Sequence, residues 1–277
     1  MATIGPFETI LVDKADGITT VTFNRPDKRN AMSPQLHQDM YDALTALEGD
    51  DETRVLIVTG AGKAFSAGQD LKSYFRDVGD DQAQITRNKR VSNDWRNRVL
   101  RMFPKPTIAM INGYCFGGAF PIVAACDFAI AADDAVFGLS EVNWGTLPGG
   151  MVSKVITMQM SYRDALYYAM TGETFDGRHA AEMRWINRSV PLEQLQDEVM
   201  TLARKLLTID PVALQATKEA VKQVIEMSQE EAFYWLLAKE NEIKWRHSLA
   251  GRGSEGIDKF LAKEYRPGLG AFKPDAE

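Results

Sequence analysis

The stretch Thr107–Cys126, TIAMINGYCFGGAFPIVAAC, sets the architecture. Its first five residues are a short, continuous apolar run, the pattern of a strand buried on both faces, which parallel sheets favour. Asn112-Gly113 closes the run. Gly117 to Ala125 is small and apolar, suited to a helix packed inside a core. Strands that alternate with helices in this way indicate βα units in a right-handed layered arrangement.

The same grammar extends outward in both directions. Val55 to Thr59 (VLIVT) is a second buried strand, ending at Gly60, and Phe128 to Ala131 (FAIA) a third, with Val136-Phe137 as a short one. Toward the N-terminus, Thr9 to Val12 and Ile18 to Asn24 read as a hairpin turning at Ala15-Asp16-Gly17. Ser33 caps a helix with Pro34 at its first position, and Leu36, Met40, Leu44 and Leu47 follow at helical spacing. Residues 77–100, polar, charged and aromatic, read as a mobile loop leading into a helix through Trp95, Val99 and Leu100. From Val152 onward the pattern is mainly helical. Candidates are Ser153–Met160, Arg163–Met170, Gly177–Met183, Leu192–Leu207, Pro211–Met227, Gln229 to about Ser248, and Ser254–Ala262. The fold class is therefore α/β, with a core over residues 1–200 and a helical region over 201–277 that covers the core or a neighbouring subunit.

Composition narrows the function. The 277 residues are 45% hydrophobic and 25% charged, an ordinary globular mix, and the net charge of −6 argues against a nucleic-acid binder working by bulk electrostatics. A local basic pocket for a phosphorylated ligand is compatible with it. Cys115 and Cys126 lie in apolar surroundings and read as buried thiols of a reducing compartment. With His37, His179 and His247 as the three histidines and no CxxC pair, no metal site is expected. The N-terminal MATIGPFETILVDKADG lacks the basic and apolar segments of a secretory signal. No window approaches the ~18 apolar residues of a membrane span, so a cytoplasmic protein without a membrane partner is expected.

Three segments carry the chemistry. Lys63-Ala64-Phe65-Ser66-Ala67-Gly68-Gln69-Asp70-Leu71 follows a buried strand and is rich in small residues. It reads either as a tight strand-to-helix turn or as a place where backbone N–H groups approach a ligand closely. Asn112 to Ala119 brings a glycine pair to the start of a helix, where free N–H groups and the positive dipole end suit a developing oxyanion; tight helix–sheet packing is the plainer alternative. Phe137-Gly138-Leu139-Ser140-Glu141-Val142-Asn143-Trp144-Gly145 sets a carboxylate among apolar residues and glycines. Partial burial would raise the pKa of Glu141 and fit it for general acid/base work near neutral pH.

Taken in order, AFSAGQDL, KPTIAMINGYCFGGA and FGLSEVNWGTLPGG resemble the enoyl-CoA hydratase/isomerase (crotonase) family, as does Asn24-Arg25-Pro26 followed by Lys28-Arg29-Asn30-Ala31-Met32. The resemblance runs from about residue 8 to 265. It implies a spiral of ββα units with a C-terminal helical region, assembled as trimers or dimers of trimers. It also implies that the backbone N–H groups of Gln69 and Gly118 form an oxyanion hole for a thioester carbonyl, with Gly117 beside them. Lys28, Arg29, Ala31, Ala67, Asp70 and Leu71 would lie along the CoA. No separate cofactor is implied, since CoA is part of the substrate.

Simple hydratases of this family use two glutamates. This chain matches the one at Glu141, but reads Phe120-Pro121-Ile122 where the other would stand; Asp127 lies too far along to replace it. The closest subgroup resemblance is to the hydroxycinnamoyl-CoA (feruloyl-CoA) hydratase-lyases, through Tyr74-Phe75-Arg76, Trp144 and Arg266-Pro267-Gly268-Leu269. These add water to the enoyl double bond and split the β-hydroxy thioester to a hydroxybenzaldehyde, such as vanillin, and acetyl-CoA. The resemblance gives Tyr74 the substrate phenol. Two departures stand out: Pro121 replaces a hydroxyl residue, and Leu237 occupies the place of a second phenol-binding tyrosine, with Tyr234 one turn away. Alternative readings are another crotonase activity, such as hydration or isomerisation alone, and a non-catalytic CoA-binding protein of the same fold.

Overall fold

Aliphatic residues fill the central strands, and a computed structural model, which describes residues 4–249, 258 and 260–263, shows what they build. β1 (Ile10–Ala15) and β2 (Ile18–Phe23) pair antiparallel as the expected hairpin, with Asp16 and Gly17 at positive φ in the turn. In α1 (Pro34–Glu48) the Ser33 hydroxyl accepts the Leu36 N–H at 3.2 Å, and Leu36, Met40, Leu44 and Leu47 are all buried. β3 (Val55–Gly60) is buried at every residue. Each Val, Leu or Ile so placed contributes about 1.5–3 kcal/mol relative to an exposed one.

From β3 the chain repeats one move: a strand in a larger sheet, a short strand in a smaller sheet, then a helix. β3 leads to β4 (Ala64–Ser66) and α2 (Gln82–Asp94). β5 (Thr107–Ile111) leads to β6 (Tyr114–Phe116) and α3 (Phe120–Ala125), and β7 (Phe128–Ala132) to β8 (Val136–Gly138) and α4 (Val152–Gln159). α5 (Tyr162–Thr171), β9 (Thr174–Asp176), α6 (Gly177–Glu182), β10 (Arg188–Val190) and α7 (Leu192–Leu207) complete the arrangement. The larger sheet runs β1-β2-β3-β5-β7-β10 and the smaller β4-β6-β8-β9, parallel except at β1/β2 and β8/β9. This is the α/β spiral of ββα units that the resemblance implied. Asp127 ties it together structurally: its Oδ2 accepts from the N–H and hydroxyl of Thr107, joining the starts of β5 and β7.

Two expectations need correction. Of residues 77–100, the expected helix through Trp95 and Leu100 is present, but it begins already at Gln82, so the loop is confined to 77–81. Asp81 caps α2 by accepting the Gln84 N–H, and the helix passes directly into a π-helical turn over Trp95–Leu100. The buried face there holds Asn88, Ser92, Trp95, Arg96 and Leu100, so polar residues occupy core positions and hide the amphipathic period. β4 and β6 fall within segments that read as a strand-to-helix turn and as the glycine-bearing start of a helix; three residues each is too short for a period-2 signal.

The chain divides into two compact units, Met1–Pro211 and Val212–Glu277. α7 belongs to the first, burying Leu195, Val199, Ala203 and Leu206. Within the second, α8 (Pro211–Val224) and α9 (Gln229–Leu249) are tied by ion pairing of Lys239 with Glu219 and by Arg246 donating to Gln215 at 2.9 Å. A capping box starts α9: Ser228 N–H to the Glu231 carboxylate at 2.8 Å, Glu231 N–H to the Ser228 hydroxyl at 3.3 Å. The Arg266–Leu269 motif lies outside the described residues, as does most of the Ser254–Ala262 helix. Among the described residues no helix is long and apolar enough to cross a membrane.

Candidate active site

The site forms where β4 and β6 of the smaller sheet end side by side. Ala64 pairs with Tyr114 and Ser66 with Cys115, so the residues that follow each strand, Ala67-Gly68-Gln69 and Gly117-Gly118, emerge together. Gly68 makes their approach feasible. At φ 86° it adopts a backbone that L side chains avoid, and a Cβ there would stand 2.7 Å from the Phe116 carbonyl oxygen and 3.3 Å from the Gly118 nitrogen. On the other side, a Cβ built on Gly118 would lie 3.3 Å from Cγ of Gln69. The two segments are in contact.

Their main-chain amides are available. The bridge pairing Met32 with Gln69 uses the Gly68 carbonyl (2.7 Å from the Met32 nitrogen) and the Asp70 N–H (3.0 Å to the Met32 oxygen), not the Gln69 N–H. Gly118 lies in a 3-10 turn, Gly117–Ala119, at the start of which N–H groups lack intrahelical acceptors.

The carboxylate arrives from the third segment. Glu141 lies in a 3-10 turn, Ser140–Trp144, that follows β8, the strand beside β6. A Cβ added at Gly117, whose φ is 46°, would fall 2.7 Å from Oε1 of Glu141, so the bare glycine makes room for the acid. Oε2 is buried and has no hydrogen-bond partner among the described residues. Desolvation therefore raises the pKa of Glu141, and a hydrogen bond from its own backbone N–H offsets that only in part. Gln69, Gly118 and Glu141 are thus brought together, with Gly117 between them. Pro121 sits in the first turn of α3, where a missing N–H costs nothing, and it brings no second carboxylate.

The expected CoA segments are strapped to one another. The Ala67 N–H donates to the Arg29 carbonyl at 2.9 Å, and the Ser66 hydroxyl to the Asn30 carbonyl at 2.8 Å. Asn30, at φ 55°, donates from its amide to the carbonyls of Ala61 and Ala64. Arg25 bonds the Ala31 carbonyl and pairs with Asp70 at 3.1 Å. Burial alone would raise the pKa of Asp70, but the Ser73 N–H and Arg25 more than offset it and hold the carboxyl below its usual range. Lys28, Arg29 and Leu71 are exposed along this strap, Ala31 and Ala67 half-buried, and the Arg29 guanidinium lies 4.9 Å above the Tyr114 ring.

The aromatic residues assigned to the substrate are less closely held. Tyr74 is half-buried in a π-helical turn, Lys72–Arg76, with its ring edge-on to His37 at 5.5 Å between centroids. Trp144 is 68% exposed, and Tyr234, on α9 of the second unit, is 61% exposed.

Beneath the glycines lies a set of residues that sequence reasoning missed. The Trp95 indole donates to Nδ1 of His37 at 2.9 Å. An indole N–H can only donate, so His37 carries its proton on Nε2 and donates it to the Gln69 side-chain oxygen at 2.8 Å. The Gln69 amide nitrogen in turn donates to the Ser92 hydroxyl at 3.3 Å. Arg96 donates to that hydroxyl at 2.7 Å, to the Ser92 carbonyl at 2.8 Å and to the Gly118 carbonyl at 2.9 Å. Burial, with the nearby Arg96 charge adding to it, pushes the His37 pKa down to about 3, in keeping with the neutral tautomer. Nothing in the sequence marks these residues except the polar spacing Asn88, Ser92, Arg96, which is equally that of a solvated helix face.

Comparisons with known proteins fit this geometry. The family model for enoyl-CoA hydratase/isomerase matches residues 13–266. The chain is 48% identical over 272 residues to a hydroxycinnamoyl-CoA hydratase-lyase of Pseudomonas fluorescens, covering 97% of this chain and 98% of that protein. It is 32% identical to a probable enoyl-CoA hydratase of Mycobacterium bovis, over 93% of this chain and 96% of the other. Among solved structures, an enoyl-CoA hydratase from Bacillus anthracis superimposes with a TM-score of 0.81 at 28% identity, over 92% of this chain and 97% of that one.

Proposed function

The chain belongs to the enoyl-CoA hydratase/isomerase family, and from that premise we propose that it is a lyase acting on 4-hydroxycinnamoyl-CoA thioesters. It hydrates the side-chain double bond of a substrate such as feruloyl-CoA, then cleaves the product to a hydroxybenzaldehyde, here vanillin, and acetyl-CoA. The observation that supports this reading is the contact of the Gly68-Gln69 and Gly117-Gly118 segments beside a single carboxylate with a raised pKa. The 48% identity to a hydratase-lyase over nearly the full length supports the choice of substrate and of the second step.

One site serves both steps because both pass through the same kind of intermediate. In hydration, Glu141 takes a proton from water while the oxygen bonds to the β-carbon. The π electrons move onto the thioester oxygen, held by the amides of Gln69 and Gly118, and Glu141 returns the proton to the α-carbon. In cleavage, Glu141 takes the β-hydroxyl proton, the bond between the α- and β-carbons breaks, and its electrons again become a thioester enolate, now of acetyl-CoA. Protonation of that enolate releases the second product. Atoms and charge balance without oxidant, reductant or metal, so activity should survive EDTA. Each donor to the oxyanion is worth about 3 kcal/mol. A para-hydroxyl on the ring, bound by Tyr74, pushes electrons toward the benzylic carbon, with Trp144 near the ring end. Lys28, Arg29, Ala31, Ala67, Asp70 and Leu71 line the CoA path.

The helical region over 201–277 assembles the chain as a homotrimer or a dimer of trimers. Its exposed Phe233, Leu237 and Trp245 support this. Two buried free thiols, Cys115 and Cys126, support a reducing, cytoplasmic location. Mass-spectrometric product analysis with a panel of cinnamoyl-CoA esters tests the reading. Feruloyl- and 4-coumaroyl-CoA should each give an aldehyde and acetyl-CoA. Efficient hydration of crotonyl-CoA with feruloyl-CoA left untouched would replace it with plain hydration.

A further inference from the structure

Arg96 is fully buried, and no carboxylate pairs with it among the described residues. The three groups that accept its hydrogen bonds, the carbonyl and hydroxyl of Ser92 and the carbonyl of Gly118, are neutral dipoles. An interior cation without a counter-ion is costly, and proteins normally pair it. The position of this one accounts for its retention. A Cβ on Gly118 would lie 3.4 Å from Nη1, so the guanidinium sits against the residue whose N–H supplies one oxyanion donor and holds it by its carbonyl, which belongs to the next peptide. Through the shared Ser92 hydroxyl it also reaches the side chain of Gln69, whose peptide supplies the other.

We propose that Arg96 is a positioning residue and the buried counter-charge of the thioester enolate. It holds Gly118 by its carbonyl, locks Gln69 through Ser92, and supplies in a low-dielectric interior a positive charge that faces the Tyr74 phenol and that no carboxylate among the described residues neutralises. The neutral dipoles that hold it leave its field uncancelled. Trp95 and His37 brace the network from the Gln69 side, with His37 kept neutral so that it adds no second charge. This rests on the enolate reading of the site but does not require the lyase step.

Acetoacetyl-CoA provides the test, because its enolate has its own ultraviolet band and its ionisation can be titrated while bound. Bound to the parent protein, it should ionise at lower pH than when free; if it does not, the enolate reading itself fails. In Arg96→Met the ionisation constant of the bound ester should fall by about 100-fold, while affinity for the un-ionised ester at low pH stays within about threefold. Arg96→Lys, which keeps the charge, should recover most of the difference. An ionisation constant unchanged in Arg96→Met would overturn the proposal, as would an equal loss of affinity for both forms of the ester. If Arg96→Met does not fold, Arg96→Gln reads the same quantity. Ser92→Ala is measured alongside: cutting the link between Arg96 and Gln69, it should lower the constant by at least threefold, and an unchanged value would count against the proposal whatever the fate of the other variants.

Discussion

The two ends of the proposed substrate path differ sharply in how the chain holds them. At the thioester end the backbone is closely held: Gly68 permits a backbone contact that any Cβ would block, Gly117 leaves room for the Glu141 carboxylate, and a chain of hydrogen bonds from Trp95 reaches the Gln69 side chain and the Gly118 carbonyl. At the proposed aromatic end, Trp144 stands mostly exposed, and Tyr74 is half-buried with ring contacts to His37 and Phe75. The difference assigns reaction type and substrate choice to different physics. Enolate chemistry needs dipoles preorganised to a fraction of an ångström. Ring recognition tolerates looser side chains and surfaces that a second copy of the chain could complete.

The sharpest way to break this comparison is Glu141→Gln, which keeps the shape and removes the base. Turnover of feruloyl-CoA, followed by loss of thioester absorbance, should fall by about 10³-fold; a drop below tenfold would remove Glu141 from proton transfer. Gly117→Ala comes next. Its methyl would push on the end of a flexible carboxylate, so kcat should fall by about 100-fold while the φ > 0 strain costs about 1–2 kcal/mol of stability. Gly68→Ala sharpens the point, since its methyl meets backbone instead, and its loss of Tm should be the larger of the two.

The acid limb of the kcat/KM profile should lie above the ordinary glutamate range, because Glu141 must be ionised to accept a proton and burial raises its pKa. A carboxyl whose pKa is raised on folding destabilises the protein as pH rises from the unfolded toward the folded pKa. Glu141→Gln should therefore have the higher Tm at neutral pH, and the gap should close as the pH falls. A constant gap would deny the raised pKa. The smallest effect belongs to Tyr74→Phe: a loss of about tenfold or less, confined to 4-hydroxylated esters. Equal loss on unsubstituted cinnamoyl-CoA would show that the tyrosine does not bind the phenol.

Sequence alone determined the strands Val55–Gly60 and Thr107–Ile111, the helix capped by Ser33, and the three glycine- and glutamate-bearing segments. Buried apolar runs, caps and turn residues act locally and leave local signatures. Tertiary structure alone decided that Gln69, Gly118 and Glu141 meet, since that depends on β4, β6 and β8 lying side by side in a sheet whose strands are three residues long. It alone revealed Asn88, Ser92 and Arg96 as an interior face rather than a solvated one. Polar residues at helical spacing look the same in sequence whether water or protein satisfies them, and only the fold settles which it is.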